Sequence, residues 1–495
     1  MCTLSNFPPL PGDEQIPLCE VDGRVQYSSP EFMNLHLYTS SVSQHPNVVL
    51  TKDVLHHSTP RVFTGPVFLP GSDNIIHSIQ DAWYENGTKK VLEILSERED
   101  LFKFFRIIAK HLLSGYVLCE KSLRHILFQG REEALLEDCK NSDPVVYMNW
   151  HPECTKLAVV TRDDTVTLFS ANTSLHPVLK AKPQRRIKCI AWRPLTSGEL
   201  AVACSEGVYV WNVDPTTFVT RPAFSSAVHL PVSYVSNITW SPQGDILMVC
   251  NSKASWLLAW EVDTKKTVYI KRGGVGGIHL LSWSPDGSKL VTSSSDKYLR
   301  IWNTAKWTCE WWKIGGVVSS SCWSQNGAVL LFTTNSEPYL YSLSSTSTVF
   351  SNEKRPLVYV MADLTRVQVP SGQIVGGDVR RMEWDRSNRR LALIFKDSPL
   401  IAIFYTRLRP QLQVSMGFYI RGLPNEIPSF ICYQNNFTEG ANLTICWSNG
   451  RVQYFPMIYR DSQVTPRSMS QTMNTFSPNI SALGECSPYY YSPTS

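Results

Sequence analysis

Motifs that carry chemistry are scarce in this chain of 495 residues. None of its 13 cysteines stands in CxxC spacing and no HExxH occurs, so a zinc site has no ligand set to rest on. No GxSxG elbow is present for an acyl-transfer nucleophile. The glycine run Gly273-Gly-Val-Gly-Gly277 is followed by no GK[ST], and strand-like sequence surrounds it, so a tight turn explains it better than a phosphate cradle. No run approaches the roughly 20 apolar residues needed to cross a bilayer, and mean hydropathy is −0.14. The opening Met1–Gly12 has neither a basic nor an apolar leader segment, so a cytosolic or nuclear chain with reduced thiols is expected. Charge is nearly balanced, 47 Lys plus Arg against 42 Asp plus Glu, which does not point to nucleic acid.

What the chain does have is 43% hydrophobic residues, enough for a large core, and a repeat. An aromatic anchor recurs as Trp150-His-Pro, Trp192-Arg-Pro, Trp240-Ser-Pro, Trp283-Ser-Pro, Trp323-Ser-Gln and Trp384-Asp-Arg, with Tyr433 as a weaker seventh. In six units an apolar residue stands two positions earlier (Met148, Ile190, Ile238, Leu281, Met382, Ile431), the period of a strand, while Ser321 breaks the pattern in the fifth. A turn follows, clearest in Ser284-Pro-Asp-Gly287 and Ser241-Pro-Gln-Gly244. A second strand begins near Leu157, Leu200, Leu247, Leu290, Leu330, Leu391 and Leu443. A third ends on Phe169, Trp211, Trp260, Trp302, Tyr341, Phe404 and Phe455, 18 to 22 residues after each anchor.

Seven such units predict an all-β, seven-bladed WD-type β-propeller over 140–459, since one blade cannot bury both faces of its sheet and a closed ring can. The last unit turns polar soon after Phe455, so a strand borrowed from the N-terminus is expected to close the ring, either Arg24–Tyr27 or Asn47–Leu50 within an extended segment 1–74. Residues 75–139 carry helical patterning. In Leu101–Leu118, Lys103, Arg106, Lys110 and Ser114 form a polar stripe, which suits a helix docked on the propeller or one meeting a partner or a membrane surface. The Ser-, Thr- and Pro-rich tail 460–495 is expected to be disordered, with Thr465, Ser477, Ser487 and Ser492 as candidate phosphorylation sites before proline.

Remaining polar clusters read as turns. Asp163-Asp164 and Asp296 suit turn capping better than acid–base work. Arg185-Arg186-Lys188, Lys265-Lys266, Arg380-Arg381 and Arg389-Arg390 fall on turns of different units, where they are solvated loops or ring one face. Cys189, Cys250, Cys322 and Cys446 sit in apolar runs as small buried hydrophobes. Nothing assembles a nucleophile, a base and an oxyanion hole, so no catalytic residue, cofactor or metal site is assigned.

Ser293-Ser-Ser-Asp296-Lys-Tyr-Leu-Arg-Ile-Trp302-Asn303 resembles the WD-repeat family. The resemblance implies that Asp296 and Trp302 take part in a hydrogen-bonded network locking the blade. Asn303, Asn212 and Glu261 replace the usual Asp after Trp, so most blades should rely on apolar packing. More narrowly, the chain is similar to WD-repeat nucleoporins through Met1-Cys-Thr-Leu4, Phe7-Pro-Pro9, Asp214-Pro-Thr-Thr217, Thr220-Arg-Pro222 and Trp283–Leu290. Further similar segments are Trp307-Thr-Cys-Glu310, Glu337–Leu343, Ala362-Asp-Leu364 and Trp447–Arg451. That similarity implies a non-enzymatic scaffold of the nuclear pore complex, held at the nuclear envelope by a transmembrane nucleoporin. It also implies support of nucleocytoplasmic transport and of the mitotic spindle, with indirect membrane association, no direct nucleic acid and no small-molecule substrate. With no Phe-Gly dipeptide among 20 Phe residues, the chain is not itself a barrier-forming Phe-Gly segment.

The loops before third strands are the candidate partner-binding positions: Arg162, Asp163, Glu206, Lys253, Glu337, Lys396 and Asp397. Two other readings stay open on the sequence. One is a substrate receptor of a ubiquitin ligase or similar cytosolic assembly. The other is a propeller hydrolase with acidic or His residues at the inner-strand ends, which the Trp-Ser-Pro contexts do not supply.

Overall fold

In each repeat, one leucine settles how three strands stack. The second-strand leucines Leu157, Leu200, Leu247, Leu290, Leu330, Leu391 and Leu443 are all 0% exposed. Each pairs directly with its aromatic anchor: Trp150, Trp192, Trp240, Trp283, Trp323, Trp384 and Tyr433. On its other side it pairs with Phe169, Trp211, Trp260, Trp302, Phe404 or Phe455. The fifth repeat differs. There Leu343 faces Leu330, and the expected aromatic, Tyr341, pairs with Phe332 instead. Anchor, leucine and third-strand residue thus form a cross-strand row on one face of the sheet, which is how a sheet converts side-chain pairing into stability.

The computed structural model describes residues 2–11, 15–28, 45–48, 50, 143–171, 176–213, 227–271, 276–344, 357–409 and 411–459. The expected helical segment 75–139 and the tail 460–495, with Thr465, Ser477, Ser487 and Ser492, lie outside them. The described residues form seven sheets of four or five strands, plus a small hairpin of Val367–Gln368 and Ile374–Val375. From inner to outer strand, the first blade is Val145–Trp150, Lys156–Thr161, Val166–Ser170 and Val178–Leu179; the second is Cys189–Trp192, Glu199–Cys204, Gly207–Asn212 and Val228–Leu230. The third is Val235–Trp240, Ile246–Asn251, Trp256–Glu261 and Lys266–Lys271; the fourth is Ile278–Trp283, Lys289–Ser294, Tyr298–Asn303 and Thr308–Lys313. The fifth is Val318–Trp323, Val329–Thr334, Tyr339–Ser344 and Leu357–Asp363; the sixth is Val379–Trp384, Arg390–Phe395, Leu400–Arg407 and Gln413–Arg421. The seventh supplies three strands of its own: Pro428–Tyr433, Gly440–Trp447 and Val452–Ile458.

Each inner strand packs against the inner strand of the next blade, and the seventh packs against the first, so the ring is closed. Anchor indoles staple neighbours together. Trp192 Nε1 donates to the Asn149 carbonyl at 3.1 Å, Trp240 Nε1 to Ala191 at 3.1 Å and Trp323 Nε1 to Ser282 at 3.4 Å, each in the preceding blade. At the seam, Trp150 Nε1 donates to Thr444 Oγ1 of the seventh blade at 2.8 Å. Trp283 Nε1 has no hydrogen-bond partner among the described residues. Gly244, Gly287 and Gly327 turn the chain after the anchors at φ of +74°, +75° and +65°; Asn388 takes that place in the sixth blade at +55°.

The N-terminal segment completes the last blade. Ile16–Val21 lies parallel to Val452–Ile458 as its fourth strand, with Glu20 opposite Met457, and Arg24–Ser28 adds a fifth. Of the two segments expected next to Val452–Ile458, Arg24–Tyr27 therefore sits one strand further out. The other contributes packing: Val48 and Leu50 join the cluster around Trp150, and the Tyr454 hydroxyl donates to the Pro46 carbonyl at 2.6 Å. Upstream, Cys2–Thr3 pairs with the outer strand of the fifth blade. Phe7 stacks on Tyr419 of the sixth blade, with ring centroids 4.7 Å apart, and meets Phe404 edge-on at 5.0 Å. Residues 2–11 and 15–28 thus strap the outer edges of three successive blades.

Candidate docking face

A propeller gathers its loops on two faces. The turns from second to third strand share one face with the loops that enter each inner strand. A single backbone bond fixes this arrangement in all seven blades: the N–H at the start of the turn donates to a carbonyl of the loop that enters the inner strand. The pairs are Arg162 to Pro144, Ser205 to Arg185, Ser252 to Tyr234, Ser295 to Gly277, Asn335 to Val317, Lys396 to Asp378 and Ser448 to Ile427, at 2.8 to 3.1 Å. The face is therefore held by backbone, and its side chains are what vary.

The structure distributes the candidate residues around this face rather than gathering them. Arg162 and Asp163 belong to the first blade, Glu206 to the second and Lys253 to the third; Glu337 belongs to the fifth, with Lys396 and Asp397 in the sixth. Asp163 accepts from the Thr165 hydroxyl at 2.9 Å and from Thr161. Partial burial pushes its carboxyl up, but these two hydroxyls and Lys180 outweigh burial and hold it below the usual range. Lys253 Nζ lies 3.5 Å from the centre of the exposed Tyr234 ring. Glu337 accepts from the Tyr341 hydroxyl, and burial together with Glu337 pushes that phenol up to about 12. Lys396 pairs with Asp378 at 3.6 Å and Asp397 with Arg366 at 2.9 Å.

Asp296 accepts from the Ser294 hydroxyl and lies 4.0 Å from Arg300, while Trp302 Nε1 donates to Thr292 Oγ1 at 3.1 Å. The basic clusters do not ring one face. Lys265 ends a turn on the opposite face and Lys266 opens the strand after it, while Arg390 opens a second strand. Arg380 and Arg381 lie within an inner strand, at a β-bulge between Val379 and Arg381. A bulge breaks strict alternation, which is why the pair read as a turn. From there Arg381 reaches over the seventh blade: its guanidinium lies 4.0 Å from the Phe430 ring centre and 5.1 Å from that of Tyr147 in the first blade, and pairs with Glu383 at 2.7 Å. Arg381 thereby clasps the ring seam.

Residues after the anchors carry a second role that the repeat pattern hinted at through Trp-Ser-Pro. The Ser284 hydroxyl accepts from Lys289 N at 2.9 Å, Ser241 from Ile246 N at 3.1 Å and Ser324 from Val329 N at 3.0 Å, capping the first turn of their blades. His151 and Asp385 do the same with Nδ1 and a carboxylate. Arg193 instead ties the second blade to the third, through Asp263 at 2.5 Å and the Gly244 carbonyl at 2.6 Å. Cys189, Cys250 and Cys446 are buried, and burial pushes their thiols up to about 12; Cys322 is half-buried. Among the described residues, no three His, Cys, Asp or Glu side chains converge as metal ligands.

With ring and faces defined, comparison with known proteins is decisive. The profile described as Aladin seven-bladed propeller matches residues 136–458. The chain belongs to the Aladin family. It is an Aladin-type nucleoporin propeller. Aladin of Arabidopsis thaliana is 28% identical over 355 residues, which cover 64% of this chain and 77% of that protein. APC/C activator protein CDH1 of Saccharomyces cerevisiae is 24% identical over 235 residues, covering 44% of this chain and 39% of that protein. Protein FIZZY-RELATED 2 of Arabidopsis thaliana is 24% identical over 37% of this chain and 38% of its own length.

Proposed function

We propose that this chain is a non-enzymatic scaffold of the nuclear pore complex, held at the nuclear envelope through a transmembrane nucleoporin. In this reading it supports nucleocytoplasmic transport and mitotic spindle assembly, and its membrane association runs through protein. Membership of the Aladin family over 136–458 carries the reading. The architecture is consistent with it: the backbone bond repeated in seven blades presents a rigid, side-chain-diverse face, the property a docking platform needs. Arg162, Asp163, Glu206, Lys253, Glu337, Lys396 and Asp397 are proposed as contacts of that face, with different partners meeting different sectors.

The similarity to APC/C activator protein CDH1 favours a second reading, an adaptor of a ubiquitin ligase or similar assembly. One experiment separates the two. The tagged full-length chain is expressed in cells, crosslinked, purified and its partners identified by mass spectrometry. Recovery of nucleoporins, a transmembrane one among them, is expected; recovery of ligase subunits without nucleoporins would overturn the proposal.

A further inference from the structure

The displaced aromatic of the fifth repeat leaves a space. Leu343 stands opposite Leu330, where the other six blades put Phe169, Trp211, Trp260, Trp302, Phe404 or Phe455. A leucine is smaller than any of these side chains. Between the fourth and fifth blades two chambers of about 180 and 170 Å³ remain, and Leu343 and Trp312 line both. The first also has Lys289, Asn303, Glu310 and Ala328 on its wall, and the second Ile314, Phe332, Glu337 and Val358. Ala328 belongs to the turn between first and second strands and Glu337 to the turn between second and third, so the chambers lie toward opposite faces of the ring. Asn303, Glu310, Glu337 and Val358 are exposed, so both chambers open at the outer rim.

The next cleft around the ring shows what fills such a space. Between the fifth and sixth blades the strap crosses the rim and buries Leu4 and Phe7 in a cluster with Leu340, Leu364, Leu391 and Phe404. Its backbone is held as well: Cys2 and Thr3 pair with Ala362 and Asp363, and the Tyr419 hydroxyl donates to the Leu4 carbonyl at 2.9 Å. The outer strand of the fifth blade, Leu357–Asp363, thus accepts an added strand, but only on its last two residues. Over 357–361 no described strand pairs with its outer edge. The side chains there are apolar and exposed, Val358 by 51%, Tyr359 by 54% and Val360 by 43%.

We propose that the cleft between the fourth and fifth blades takes an extended segment of a partner protein, which pairs along 357–361 and inserts one bulky apolar side chain into each chamber. The proposal rests on the scaffold reading and names the chemistry of one partner. A dry cavity of roughly 150 Å³ accepts a benzene-sized group, so each chamber suits a phenylalanine or leucine side chain. Glu310 lines the first chamber and Ile314 the second, a separation of about 13 Å along the chain at strand rise. Side chains four positions apart on an extended segment share one face at that spacing. Of the three charges on the chamber walls, two are the exposed carboxylates of Glu310 and Glu337, which disfavour the phosphates of a nucleic acid or an anionic bilayer. A second copy would present the same convex rim, and two convex rims leave each other's clefts empty.

The test is fluorescence anisotropy on the full-length chain, with a labelled peptide of Ser and Thr about eleven residues long that carries two Phe four positions apart. A control peptide has the two Phe three positions apart, on opposite sides of an extended chain. Leu343→Phe restores the aromatic of the other blades and fills the chambers, and Val358→Lys changes only an exposed residue at the mouth. Val268→Lys makes the same change on the exposed outer strand of the third blade. Matching melting temperatures establish that the variants fold; if Leu343→Phe does not, Val358→Lys carries the test. The control spacing, Leu343→Phe and Val358→Lys are each expected to weaken binding at least about tenfold, with Val268→Lys like wild type. Equal binding of the two peptides, unchanged binding by either folded cleft variant, or equal weakening by Val268→Lys would overturn the proposal. So would a dimer in sedimentation that Val358→Lys splits, or an effect of that variant on phosphatidylserine vesicles but not on peptide. A gain in peptide binding on Phe350→Ser would overturn it too, by placing this chain's own 345–356 in the cleft. If wild type recovers nucleoporins from cells and the peptide result is negative, this proposal alone falls. If nucleoporins are not recovered, the scaffold reading falls whatever the peptide does.

Discussion

Arg390 grips Glu20 across 370 positions of sequence: its Nε lies 3.1 and 2.9 Å from the two carboxylate oxygens, and its terminal nitrogen bonds one of them as well. Glu20 is fully buried beneath this contact. The pair joins the added fourth strand of the seventh blade to the sixth, and so locks the strap where the ring closes.

Removing one partner of a buried pair strands the other charge, at a cost of about 3 kcal/mol or more. Glu20→Ala should therefore lower the melting temperature by several degrees, and deletion of residues 1–28 should lower it further by opening the seventh blade. Thermal unfolding followed by circular dichroism reads both; an unchanged midpoint on deletion would show that the ring closes without the strap.

The cross-strand leucines are the centre of each blade. Leu247→Ala and Leu443→Ala should each cost about 2–5 kcal/mol, the range for a fully buried leucine. Tyr269→Ala, on an exposed outer strand, should stay within about 0.5 kcal/mol. Urea titration of the three variants checks the ranking.

Anchor indoles differ in what they hold. Trp240 Nε1 bonds the preceding blade, whereas Trp283 Nε1 bonds nothing among the described residues. Replacing each by Phe removes the indole N–H, and only Trp240→Phe leaves a carbonyl without its donor. That variant should be less stable than Trp283→Phe by about 1 kcal/mol. Equal losses would assign the anchors to packing alone.

Acid should loosen the seventh blade through Glu426. Burial pushes its carboxyl up, but Arg451 and the Leu423 and Asn449 hydrogen bonds prevail and hold it below its ordinary 4.5. A depressed carboxyl stabilises the fold above the unfolded value and loses that contribution as pH falls through the lower folded value. Stability should drop below about pH 4.3, the ordinary range of a free Glu, and Glu426→Gln should be less stable at neutral pH but show a shallower acid slope. Urea midpoints of both proteins at stepped pH read the difference.

The repeat was legible because burial on both faces of each blade forces the same apolar types at the same spacing; anchor, leucine and third-strand aromatic stand in the sequence as they stand in the sheet. Tyr341 misled because Leu343, two residues on, satisfies the same alternation. The basic pair Arg380-Arg381 misled because a bulge puts two successive cations inside a strand. The strap was legible only as a need. That Ile16–Val21 meets the seventh blade depends on Glu20 finding Arg390 and on Phe7 finding Tyr419, contacts between distant positions that no local pattern encodes. The repeat placed the loops before the third strands, but the bond that ties each of them to its inner strand is backbone to backbone and leaves no residue signature.

The central claim, a propeller used as a docking platform at the nuclear pore, is tested most directly by imaging the fluorescently tagged full-length chain in living cells. A punctate rim at the nuclear envelope is the predicted result; a diffuse cytosolic signal would contradict the account.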